Sequence, residues 1–339
     1  MSYLDTDVPI QGIFCFYIQM MTQRGFDLAE VLANSGLDSK TWALPATLVN
    51  SQQELCVYAN IRRLVGSEHV GLSLGALMHT NGAGMLGGLV ANAVDVDHAG
   101  YLMRRFYMLS NYWFAPELIG TLSPGKVIAR YRQTTELGNL YRMMIDLSVR
   151  SMQQVLVCVF GTAARAFISE IAFGYPAPKD LAPYAAEFDC PVSFGHDVTY
   201  VTFEHALGKL SNPNRCEYSY NLFLQHCRAA ALRCAAPSWQ QTVLNLLACI
   251  ETYPAAEDMA EKLNCSERSL RRHLGNEGVQ YSELIDKIRF DRAVYLLHHS
   301  TDSVKKIGYQ LSYSEPGAFI RAFSRWAGMT PNQFRRVSR

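Results

Sequence analysis

The side chains in this 339-residue chain that are best placed to do chemistry are arginines. The run Arg268-Ser269-Leu270-Arg271-Arg272 sets three guanidinium groups beside an apolar stripe of Leu270 and Leu274. Arg321 and Arg325 stand in the same relation to Phe319 and Phe323. A guanidinium is permanently charged and presents parallel N–H donors. On an exposed helix face it can satisfy guanine O6 and N7 together, worth about 1–3 kcal/mol of discrimination against a wrong base. Lys305, Lys306, Arg335, Arg336 and Arg339 lie on other stretches and suit phosphate oxygens, which supply affinity and salt dependence but no sequence information. A single such run reads as solvated charge on a helix; a repeated one asks for a partner.

Other chemistries have weaker footing. Gly71-Leu72-Ser73-Leu74-Gly75 fits the G-x-S-x-G pattern that exposes a nucleophilic serine on a strained strand-to-helix turn. No convincing strand precedes it and no oxyanion donors are recognisable, so a hydrolase built on Ser73 stands only as the alternative. Gly82-Ala83-Gly84-Met85-Leu86-Gly87 fits G-x-G-x-x-G, but the LMRRFY stretch about 20 residues on lacks the acid that holds a ribose. Those glycines read as a turn and close helix packing. The nine cysteines form no C-x-x-C, and none follows a proline as a repair methyltransferase would need; they read as buried free thiols. His298 and His299 are adjacent at a helix end with no ligand spacing around them. No metal, cofactor or catalytic residue is expected.

The elements that must carry the arginines form an internal repeat. Met259, Ala260 and Leu263 return 48 positions later as Ile307, Gly308 and Leu311. Leu270, Arg272 and Leu274 return after 49 as Phe319, Arg321 and Phe323, and Gly278, Val279 and Leu284 after 50 as Gly328, Met329 and Phe334. Each copy predicts a short helix, a tight break and a second helix: a helix-turn-helix at about 256–275 and another at about 303–325. Ser266 and Ser303 sit where N-caps belong. Between the copies, Glu283 to Leu297 predicts a long helix able to pack on both through Leu284, Ile288, Ala293 and Leu297.

Charge divides the chain in the same place. Residues 262–339 hold 14 Lys and Arg against 7 Asp and Glu, a net of +7; the preceding 261 hold 17 against 23, a net of −6. Ala235-Ala236-Pro237-Ser238 marks the junction, with Ser238 capping a helix that carries Val243, Leu246, Leu247 and Ile250. The first domain, 1–235, reads as helix-rich α+β. Helices are expected at 11–22, 26–34, 51–65, 97–111, 139–160 and 217–234. An antiparallel sheet is expected from LIGTL, VIARYR, EIAFGY, PVSF and VTYVTF, the first two joined at Ser123-Pro124-Gly125-Lys126. The apolar runs 82–94 and 155–164 are shorter than the ~20 residues a bilayer requires, and MSYLDTDVPI has acids where a signal peptide has bases. A cytoplasmic, nucleoid-associated protein with no membrane partner is expected.

The stretches SERSLRRHL, KIRFDRAVYLL and VKKIGYQLSYSEPGAFIRAFSRWAGMTPNQFRR together resemble the DNA-binding domain of the AraC/XylS family of bacterial transcription regulators. The match runs through Ile307, Phe319, Arg321, Phe323, Gly328, Pro331 and Arg335. The resemblance implies an all-α domain of seven helices over 236–339, with both recognition helices in successive major-groove segments. By position it gives base-facing roles to Arg268, Arg271 and Arg272, and to Pro316, Gly317, Ile320 and Arg321. Ser266, Lys305, Lys306, Arg325, Arg335 and Arg336 are left for phosphates. Pro316, Gly317 and Ile320 stand where the family often has polar side chains, so the first helix is expected to carry most base readout and the second to position the protein on the backbone.

The runs MHTNGAGMLGGLVANAVDVDHAGYLMRRFYML and EFDCPVSFGHDVTYVTFE look like the effector domain of the ornithine-utilization-regulator-like, arabinose-binding-like subgroup. This implies control by an unknown small molecule or partner. Promoter DNA, RNA polymerase and a second copy of the chain are the expected partners, with activation the commoner outcome in the family. A first domain that only dimerises is the further alternative.

Overall fold

Short polar side chains fix where many of the helices begin. The structure, a computed structural model, describes residues 8–9, 12–44, 47–109, 113–119, 126–204, 208–233 and 238–337. Its first elements are β1 (Val8–Pro9), α1 (Gly12–Gln23), α2 (Leu28–Val31), β2 (Leu48–Val49), α3 (Ser51–Val65), α4 (Val70–Gly75), α5 (Gly84–Val90) and α6 (Val96–Arg105). There follow β3 (Phe114–Leu118), β4 (Lys126–Gln133), α7 (Tyr141–Phe160), β5 (Ile168–Phe173), α8 (Ala182–Glu187), β6 (Val192–Phe194), β7 (Thr199–Glu204) and α9 (Glu217–Arg233). Residues 238–337 then form seven helices: α10 (Trp239–Cys249), α11 (Ala256–Lys262), α12 (Glu267–Asn276), α13 (Tyr281–His299), α14 (Val304–Gln310), α15 (Pro316–Ala327) and α16 (Pro331–Val337). Asn50 and Gln53 make a reciprocal capping box on α3, while Asp95, Ser238, Ser266 and Ser303 cap α6, α10, α12 and α14.

A five-stranded sheet, ordered β3-β4-β7-β5-β6, lies in the first half. Three of its four pairings are antiparallel, with registers such as Pro116↔Tyr131 and Ala129↔Val201; β5 and β6 run parallel. The expected all-antiparallel sheet is therefore mixed at one edge. The reason is local: α8 lies in the β5–β6 connection and returns the chain to the end from which it left, which a tight hairpin does not do. The first expected strand also begins earlier than LIGTL, at Phe114, and the turn at Ser123-Pro124-Gly125 lies outside the described residues. The expected 26–34 helix is only the four residues of α2, because Asn34 and Gly36 take positive φ (59° and 73°) and turn the chain.

Helix α7 runs through the main core. With the turn before it, residues 138–160 are long and apolar enough to cross a membrane by length and composition, yet most of this stretch is buried inside the fold. Its two buried ionisable side chains are held: Arg150 by Glu187 at 2.6 Å, the Asp146 carboxyl by the hydroxyls of Tyr175 and Tyr184. A second, separate apolar cluster fills residues 243–334. It contains Met259, Leu270, Leu274, Leu284, Ala293, Leu297, Ile307, Leu311, Phe319, Phe323 and Phe334, so the expected apolar stripes do face inward.

Candidate nucleic-acid interface

The two copies of the repeat share one backbone. The break after α11 places Asn264 at φ 52°, and the break after α14, 48 residues on, places Ser312 at φ 61°. Each is followed by the same bond: Cys265 N–H donates to Ala260 O at 3.0 Å, and Tyr313 N–H to Gly308 O at 3.0 Å. Gly278 and Gly328, 50 apart, close the units at φ 71° and 70°. A non-glycine residue in this region is uncommon, so its recurrence at the equivalent position is a strong geometric signature. Two helix-turn-helix units are present, and the drift in spacing is taken up in two steps, one residue between Tyr313 and Phe319 and one between Phe323 and Gly328.

Long α13 joins the units and packs against α14, α15 and α16. Arg289 of this helix, half-buried, ties down the second break. It donates to Leu311 O and Ser312 O at 3.0 and 3.4 Å and lies over the rings of Tyr253 and Tyr313. In the first unit, Trp239 stacks on His273 at 4.2 Å, and the Glu277 carboxylate accepts from Trp239 N–H and Gln240 N–H, both at 2.8 Å. These contacts hold α12 and leave its outer face open.

On that face Arg268, Arg271 and Arg272 are exposed, and only Arg271 has an ion-pair partner among the described residues, Glu267 at 2.6 Å. On α15, Ile320, Arg321 and Arg325 are exposed and Pro316 and Gly317 half-buried. Arg321 pairs with Glu315 at 2.9 Å and Arg325 with Asp286 at 3.0 Å. Ser266 accepts from Ser269 N–H as the cap of α12. Lys305 and Lys306 are exposed at the start of α14, Lys306 paired with Asp302 at 2.7 Å. Arg336 is exposed, whereas Arg335 is half-buried and donates to Leu297 O at 3.3 Å, closing α16 on α13. Arg339 lies outside the described residues.

The catalytic-looking strings resolve into packing. Gly71 and Gly75 are one turn apart on the face of α4 pressed against α7. A Cβ on Gly71 would lie 2.2 Å from Met143 O, and one on Gly75 2.7 Å from Arg150 Cβ. Ser73 sits on helix rather than on a strand-to-helix turn, and is exposed. Gly87 packs as tightly: its Cβ would lie 1.8 Å from Thr80 O.

What the sequence did not disclose is the seam between the two halves, whose partners lie far apart along the chain. Arg104 on α6 pairs with Asp291 on α13 at 2.8 Å, and Tyr101 stacks on Tyr295 at 4.8 Å. Arg105 donates to Ala248 O at 2.8 Å at the end of α10, where carbonyl partial charge favours a cation. Glu251 gathers Arg105, Arg228 and Arg292 from three helices. Glu117 accepts from Arg130 and Arg132 at 2.8 and 2.9 Å and faces Lys287 at 3.3 Å. Burial opposes its charge, but the two arginine hydrogen bonds outweigh that and hold its pKa down at about 2. His98 goes the other way. Burial pushes it down to about 4, so it is neutral near pH 7; Val94 N–H donates to its Nδ1 at 3.1 Å, leaving the proton on Nε2.

Two cavities adjoin this seam. One, of about 70 Å³, is lined by Met103, Val127, Tyr131, Leu156 and Phe203 and bordered by Val294 and Tyr295 of α13. The other, of about 180 Å³, lies between Arg104, Arg130 and Arg132 on one side and Leu244, Lys287 and Asp291 on the other.

Comparison with known proteins gives two family matches. The profile described as the arabinose-binding domain of AraC transcription regulator, N-term, matches residues 25–212, and a helix-turn-helix domain profile matches residues 259–337. The chain is 25% identical to the ornithine utilization regulator of Pseudomonas aeruginosa over 284 residues, covering 80% of each protein. It is 32% identical over 167 residues to the HTH-type transcriptional regulator VqsM of the same organism, covering 46% of this chain and 49% of that one. It is 36% identical over 83 residues to the urease operon transcriptional activator of Escherichia coli, covering 24% of this chain and 28% of that one.

Proposed function

The chain belongs to the AraC family of transcription regulators, and from that premise we propose that it reads promoter DNA with α12 and α15 under the control of a small molecule bound in its first half. The observation that carries this reading is the repeated left-handed break, at Asn264 and Ser312, ahead of two helices that each expose arginines. Arg268, Arg271 and Arg272 read base edges. Arg321 and Arg325, with Lys305, Lys306 and Arg336, hold phosphates; the surface carboxylates paired with Arg321, Arg325 and Lys306 are readily exchanged because such pairs contribute only about 0–1 kcal/mol. Ser266 keeps its cap and contributes to phosphate contact; Arg335 serves α16 first. Ile320, with Pro316 and Gly317, offers apolar contact such as a thymine methyl accepts.

The functional boundary falls near residue 235, with sensing and self-association before it and DNA binding after it. The largely apolar cavity bordered by Val294 and Tyr295 is the effector site in this reading: a molecule filling it touches α13 directly and so binds one arrangement of the halves better than another. The protein acts in the cytoplasm on the nucleoid, as a homodimer on paired half-sites, contacts RNA polymerase as an activator, and performs no catalysis. The test is selection of bound fragments from random and genomic DNA by the full-length protein, repeated across salt concentrations. A salt-sensitive preference for defined sites supports the reading; binding without sequence preference overturns it. A metabolite panel scored by thermal shift then finds the effector, by the rise that mass action gives to a ligand of the native state.

A further inference from the structure

We propose a divalent metal site of two histidines and one carboxylate on the seam between the halves. His298 and His299 end α13, and folding brings Asp97 of α6 against both. One possible ligand atom from each of Asp97, His298 and His299 lies within 4.8 Å of the other two. His298 Nδ1 meets Asp97 Oδ2 directly, and His299 Nε2 stands 3.9 Å from the same oxygen. Neighbouring residues on a helix point about 100° apart, and the two side chains converge because one uses its near ring nitrogen and the other its far one. A four-coordinate zinc holds its ligand atoms about 2.0–2.1 Å away, which places them roughly 3.3 Å apart; small side-chain shifts bring this trio to that spacing.

The surroundings orient these atoms as a ligand set. Asp95 Oδ2 lies 3.0 Å from His299 Nδ1, fixing the proton there and turning the Nε2 lone pair towards Asp97. Asp95 is itself immobilised, since its other oxygen accepts from His98 N–H at 2.9 Å. Tyr295 stacks on the His299 ring at 4.4 Å and sets its plane. Gly208 closes over the carboxylate so tightly that a Cβ there would fall 2.2 Å from it. The last turn of α13 adds carbonyl partial charge that favours a cation. Imidazole with one carboxylate suits zinc and its first-row neighbours, not the all-oxygen preference of calcium or magnesium. The cation ties α6 to the helix that enters the second helix-turn-helix, which makes it a staple between sensing and reading halves. The paired histidines alone gave no sign of this, because their third ligand lies in the other half of the chain.

The experiment is zinc titration of the metal-stripped full-length protein against a chromophoric chelator, with cobalt substitution read by its visible d–d bands. One equivalent per chain is expected, with a raised melting temperature. Asp97→Asn and His299→Ala should each weaken binding at least ~100-fold and abolish the cobalt spectrum, and Asp95→Asn should weaken it about 10–100-fold as an outer-shell partner does. Zinc that binds without saturation, or with equal affinity to Asp97→Asn and His299→Ala, overturns the proposal, since other histidines and thiols are then the ligands. His298 is fully buried and its loss can unfold the chain. The less buried Asp97 and His299 therefore carry the test, each variant checked for a native circular dichroism spectrum.

Discussion

Arg271 and Arg272 are sequence neighbours with different local bonds. Arg271 is braced by Glu267 one turn earlier, while Arg272 has no ion-pair partner among the described residues. Arg272→Ala should therefore lower preference at one base position about tenfold or more and leave the salt slope nearly intact. Lys305→Ala should weaken all sequences alike and reduce the slope by about one. Anisotropy titrations over a salt series separate the two. Arg321→Ala, by the expectation that α15 mainly positions the protein, should behave like the lysine variant; vanished preference across one half of the selected site would contradict it. A second residue-scale expectation concerns Asp146. Burial raises its pKa from the ordinary 3.8 to about 7, against hydrogen bonds from Tyr175 and Tyr184 and the nearby charge of Arg142. The native carboxyl thus keeps its proton where the unfolded one has released it. Its contribution to stability is full below pH 4 and is lost as pH rises towards 7. Asp146→Asn should flatten the melting-temperature profile between pH 4 and 7; an unchanged slope would show that this carboxyl is not its source.

At the scale of elements, the contact of α4 with α7 depends on two absent side chains. Gly71→Leu must push α4 off the Met143 carbonyl and should cost several kcal/mol, whereas Ser73→Ala on the exposed face should stay within about 0.5 kcal/mol. Chemical denaturation of the pair decides between packing and a serine centre, for which the second change would be the damaging one in activity. The same pair shows what a sequence discloses. Apolar pattern made α3 and α7 legible and, with the serine caps of α10, α12 and α14, the helices of both repeats, since Leu270, Leu274, Phe319 and Phe323 announce their inward face by spacing alone. The exposed arginines were legible for the complementary reason. The parallel β5–β6 edge was not, because strand direction follows from the course of the connection and not from the strand's own residues. Nor were the shortness of α2, set by two positive φ angles, or Asp97 beside His298 and His299, which no local spacing encodes.

Taken whole, the molecule joins its two cores by ion pairs as well as by apolar contact. Arg104 and Asp291 are largely withdrawn from water, with side chains 17% and 19% exposed. Asp291→Ala, which strands the guanidinium, should cost at least ~2 kcal/mol, and the double change Arg104→Met with Asp291→Leu should recover much of it. Denaturant midpoints of the full cycle give the coupling, and additivity would mean that the pair is idle. The 19 residues of α13 span about 28 Å, with the first reading unit attached before Tyr281 and the second after His299. A single rod thus gauges the stride of the reader along the duplex. A tilt of about 10° about its middle would carry its ends roughly 2–3 Å in opposite directions, enough to throw one footfall out of phase with a groove that recurs every ~34 Å.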